Sequence, residues 1–102
     1  MSPEESHFLS IAKKLDHTVL SQMFGKPCLK INGKAFACFF QNAMVFKLPG
    51  MAHQDALKLK GAHLFDPSGK GRPMKAWIQL DFIHKDMWQA YAKEAMNYVR
   101  QT

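Results

Sequence analysis

Lys70, Arg72 and Lys75 are the side chains best placed by sequence to hold a ligand. The first two sit in DPSGKGRP (66–73), a stretch dense in chain breakers, and the third follows it. Glycine beside cationic residues invites comparison with a nucleotide cradle. A P-loop requires GxxxxGK[ST] between a strand and a helix. Here Pro73 follows Arg72, a strand comes next, and the hydroxyl residue is missing, so that motif is excluded. What remains is a basic hairpin tip that can touch nucleic-acid phosphates without reading bases. A plain solvated loop is the competing reading.

The other reactive residues form no motif. His7, His17, His53, His63 and His84 contain no HExxH and no i, i+4 pair, so neither a metal nor a cofactor is expected. Cys28 and Cys38 lack a CxxC arrangement, and nothing basic flanks Cys38 to make it a nucleophile. Ser10, Ser21 and Ser68 lie in no GxSxG elbow. No catalytic constellation emerges, and the expectation is a protein that is not an enzyme.

Bulk composition sets the frame. Hydrophobic residues make up 47% of 102 positions, enough for one core and one domain over 1–102. Fourteen Lys and Arg against eight Asp and Glu give a net charge of +6, compatible with a polyanionic partner. The N-terminal MSPEESHF has no apolar run, and no stretch is long enough to span a membrane. A cytoplasmic, membrane-free protein with reduced thiols is expected.

The elements that would position these residues follow from periodicity. Ser2 can cap a helix that has Pro3 in its first turn and Glu5 completing a capping box. Phe8, Ile11, Ala12, Leu15, Val19, Leu20 and Met23 recur at spacings that extend this helix over 3–23. The stretch 24–48 reads as a three-stranded meander, with strands 28–31, 34–40 and 43–48. Asn32-Gly33 and Gln41-Asn42 form its turns. A helix over 51–60, strands over 62–65 and 74–82, and a helix over 84–100 complete the chain. The expected fold is two-layer α+β, a five-stranded antiparallel sheet with helices in the order α-β-β-β-α-β-β-α.

A two-residue turn at Asn32-Gly33 pairs Leu29 with Phe36 and Cys28 with Ala37. Leu29, Ile31, Phe36, Cys38 and Phe40 then share one face, while Cys28 takes the other, which forbids a disulfide. Lys34 and Lys47 share a face and Lys30 does not, so no basic stripe forms. A bulged turn would change this parity. Both faces come out substantially apolar, which motivates a homodimer through the face the helices leave bare.

Met23-Phe24-Gly25, CLKINGKAFACF, MVFKLPG and LFDPSGKGRPMKAWIQL, followed by Trp88 and Tyr98-Val99, resemble the TfoX N-terminal domain family. The related MmcQ/YjbR-like proteins show a similar pattern. The resemblance covers nearly the whole chain. It implies a two-layer α+β domain, a regulatory role of the kind associated with natural competence, and DNA binding. Full-length competence regulators carry a second, C-terminal domain beyond the stretch that the resemblance covers. The family supplies no catalytic residues to carry over. Two readings follow: a non-enzymatic regulatory module contacting DNA through Lys70, Arg72 and Lys75, or a protein-interaction module that dimerises through an apolar sheet face.

Overall fold

The computed structural model describes residues 2–102. Helix α1 (Pro3–Lys14) begins as its capping residues dictate: the Ser2 hydroxyl accepts from the Glu5 amide at 3.1 Å. Four strands follow, β1 (Val19–Met23), β2 (Lys26–Ile31), β3 (Lys34–Phe40) and β4 (Ala43–Lys47). Then come α2 (Gly50–Leu57), β5 (His63–Phe65), β6 (Met74–Leu80), a 3-10 turn and α3 (Lys85–Arg100). The α+β class matches expectation, but the antiparallel sheet has six strands, ordered β1-β2-β3-β4-β6-β5.

The extra strand comes from the segment expected to prolong the first helix. That helix stops at Lys14 because His17 takes a left-handed conformation, φ 66, and Thr18 Oγ1 donates to the Leu15 carbonyl at 2.8 Å. The five residues Val19–Met23 then pair with β2. Their apolar spacing fits a helix and does not alternate as a strand's would, but the tight Phe24-Gly25 turn brings them back alongside β2. Phe24 and Gly25 both have positive φ, 54 and 74, as a type I′ turn demands. Asn32-Gly33 and Gln41-Asn42 behave the same way, so both expected turns form.

Between those turns the register departs from expectation. Lys30 pairs with Ala35, whereas Leu29 pairs with Ala37. Phe36 is the extra residue of a β-bulge within β3, not at the turn. Phe36 and Ala37 consequently both enter the helix-side core. Cys28 faces Cys38 directly, on the same side of the sheet, which reverses the expected separation of the two thiols. Pro27, with no N–H to give, ends the β2–β3 ladder at this pair.

All three helices pack on one side. Phe8 and Ile11 of α1, Ala56 of α2, and Trp88, Ala92, Ala95 and Val99 of α3 meet Leu29, Phe36, Phe46, Ile78 and Leu80. The buried Trp88 indole is satisfied, donating from Nε1 to the Asp81 carbonyl at 3.2 Å. The other side carries a smaller cluster of Cys28, Cys38, Val45, Phe65 and Trp77, with no helical residue in it. Met23, Phe40 and Met74 pack over it, and Phe40 meets Phe65 edge-on at 5.2 Å. The second apolar face is therefore covered largely by the chain's own side chains. Among the described residues, no helix is long and apolar enough to cross a membrane.

Candidate nucleic-acid interface

Paired residues in an antiparallel sheet share a face. Lys30 follows Cys28 by two positions on β2, so both point away from the helices. Val45 pairs with Cys38, which places Lys47 on that face as well. Lys47 pairs with Trp77, and Lys75 lies exposed just before it, at the start of β6 where the ladder with β5 shifts register. The three lysines stand on β2, β4 and β6 at the end of the sheet where β6 begins. The loop 66–73, with Lys70 and Arg72 exposed, springs from that same end. Lys26 lies on this face too, toward the opposite end, with its ammonium 5.8 Å from the Phe40 ring.

The expected contact residues Lys70, Arg72 and Lys75 thus belong to one neighbourhood. Lys30 and Lys47 extend it, although sequence reasoning had put them on opposite faces. Lys34, expected beside Lys47, instead pairs with Ile31 and turns toward the helices. There its Nζ donates to the Thr102 carbonyl at 2.6 Å. The cause of this exchange is the bulge at Phe36, which has no signal in the sequence: no glycine or proline marks it.

The charge balance of the sheet is one-sided. The six strands contain Lys26, Lys30, Lys34, Lys47 and Lys75 and no Asp or Glu. Glu4, Glu5, Asp55, Asp86 and Glu94 lie in the helices instead. The carboxylate nearest the basic end in sequence, Asp66, is turned to structural use. It accepts from the Ser68 hydroxyl at 2.8 Å and from the Gly71 and Gly69 amides at 2.9 and 3.1 Å. Those bonds, the Ser68 hydroxyl first, hold its carboxyl below the usual range. They also occupy the loop amides that a phosphate cradle would need, so any anion here meets side-chain cations rather than a ring of free N–H groups. The Ser68 hydroxyl also accepts from the Lys70 amide at 3.2 Å.

His53 anchors the site from the helical layer. Its Nε2 donates to the carbonyl of Lys75 at 2.8 Å and ties α2 to the start of β6. His7 and His84 make analogous struts, donating to the carbonyls of Lys85 and Lys60 at 2.9 and 2.6 Å. Among the described residues no group of three or more His, Cys, Asp or Glu is arranged to hold a metal ion. Ser68, His63 and Asp66 line one shallow cleft, but the Ser68 hydroxyl is engaged by Asp66 and His63 bonds a backbone carbonyl. Among the described residues, no imidazole is hydrogen-bonded to the serine.

The aromatic residues on the basic face do not offer stacking platforms. Trp77 is buried and Phe40 is half-covered against Phe65. What the face presents is cationic side chains over a packed apolar floor. Such a surface suits the phosphate backbone of a nucleic acid and offers no exposed aromatic ring for base stacking. No family model, no curated protein and no solved structure matches the chain.

Proposed function

We propose that this chain is a non-enzymatic regulatory module of the cytoplasm, related to TfoX N-terminal domains, that binds DNA through its helix-free sheet face. The observation that carries the reading is the register: it gathers Lys30 and Lys47 on one face, at the same end of the sheet as Lys70, Arg72 and Lys75, in a sheet whose strands hold no carboxylate. Binding is chiefly electrostatic, because what the face offers is cationic side chains without exposed aromatic stacking platforms. The competing reading, a dimer through an apolar sheet face, loses its motive, since Met23, Phe40 and Met74 already pack over that face.

Fluorescence anisotropy with duplex and single-stranded DNA at several salt concentrations tests this. Each phosphate contact contributes about 0.9 to the slope of log K against log salt on duplex DNA. Replacing Lys30, Lys47 and Lys75 together by Gln is expected to lower the slope by about 2 to 3 units for every duplex sequence. A control triple at Lys14, Lys58 and Lys93, on the helical layer, leaves most of the slope in place. Equal losses in the two triples would show that net charge, not this face, governs binding.

A further inference from the structure

Strand β1 is one of the two free edges of the sheet, and it carries none of the usual protection. Natural edges are blunted by charge, proline, bulges or shortness. The opposite edge, β5, is three residues long with a register shift. By contrast β1, VLSQM, is five residues long, uncharged, free of proline and paired with β2 in unbroken register. Val19 and Leu20 are 61% and 54% exposed, and Phe24 in the following turn is 63% exposed. These three lie within six consecutive residues.

Hydrogen-bond parity defines what this edge accepts. A two-residue hairpin closes on a hydrogen-bonded pair, here Met23 with Lys26. Alternation then commits Met23, Ser21 and Val19 to β2. The N–H and C=O groups of Leu20 and Gln22 point outward. The partner must therefore be an extended strand with an unpaired edge of its own.

We infer that β1 is a dimerisation strand, along which two copies of this chain join edge to edge, antiparallel, about a two-fold axis at Ser21. A second copy offers the free edge that β1 requires, equal in length and uncharged. With Ser21 on the axis, Leu20 of each copy exchanges hydrogen bonds with Gln22 of the other, and Val19 meets Met23 on the opposite face. All four outward polar groups of each strand's centre are then satisfied. The same axis carries Asp16, just before β1, toward Lys26, just after its turn, in the second copy, so the flanking charges are complementary. An axis perpendicular to the sheet also leaves both basic faces on one side of the joined sheet. The dimer stands independently of DNA binding, and its test contains no nucleic acid.

Sedimentation velocity on the full chain, from low to high micromolar, is the first measurement. A dimer is expected in the wild type. Gln22→Pro removes an outward N–H that β2 does not use, and Leu20→Lys sets two like charges across the seam; both are expected to be monomeric with a native circular dichroism spectrum. Ser21→Cys is expected to yield a covalent dimer on mild oxidation, which the wild type, with its two buried thiols, does not. A wild type that stays monomeric overturns the inference. So do a dimer that survives Leu20→Lys and a folded Ser21→Cys dimer that fails to cross-link. Should Gln22→Pro fail to fold, the exposed Leu20→Lys position still decides the outcome.

Discussion

Phe36 is the extra residue of β3, and its insertion sets which face the neighbouring strands share. Without it Lys30 would point into the helical layer and Cys28 would lie across the sheet from Cys38. With it, the two thiols become direct neighbours in a non-hydrogen-bonded pair, the closer of the two antiparallel spacings. Both are free and buried. Burial, with the neighbouring Cys28 adding to it, pushes the Cys38 thiol up to about 12 from an ordinary value of 9.0. Burial raises Cys28 as well, opposed by Lys30. The folded state thus keeps a proton on Cys38 that the unfolded chain gives up near pH 9. The contribution of this thiol is intact below pH 9 and is lost as pH rises from 9 toward about 12. Urea titrations across that range are expected to show the decline, and Cys38→Ala to flatten it. The same burial predicts slow labelling by a thiol reagent in buffer and rapid labelling in denaturant.

At the scale of elements, local chemistry made some features legible and left others hidden. Asn32-Gly33 and Gln41-Asn42 announce their turns because positive φ is confined to few residue types, and both turns form with their closing pairs, Ile31 with Lys34 and Phe40 with Ala43, although the register beyond the first turn is shifted by the bulge. The N-terminus of α1 is equally explicit in Ser2, Pro3 and Glu5. The end of α1 is not, since Leu15-Asp16-His17-Thr18 holds no glycine or proline and the apolar spacing runs on. Whether 19–23 extends a helix or pairs with β2 is decided by the sheet, beyond the reach of a local pattern. Phe24 illustrates the cost of that choice: a bulky residue at φ 54 in a type I′ turn. Phe24→Asn converts the turn to Asn-Gly and is expected to raise stability by about 0.5–1 kcal/mol, read from thermal or urea unfolding. A loss of stability would mean that the exposed ring makes contacts worth more than the backbone strain.

For the molecule as a whole, a net charge of +6 matters less than where the charge lies. Helices take most of the carboxylates, strands take only lysines, and a single long-range register decides whether those lysines cooperate. That is why Lys70, Arg72 and Lys75 were visible in the sequence as a loop cluster, whereas Lys30 and Lys47 were not visible as their neighbours. The central claim is that DNA meets the helix-free face at the end where β6 begins. Amide chemical-shift mapping with a short duplex tests it most directly. Perturbations are expected to concentrate at Lys30, Lys47, Lys70, Arg72 and Lys75 and to fade as salt is raised. Perturbations centred on α1 or α3, or none at low salt, would contradict it.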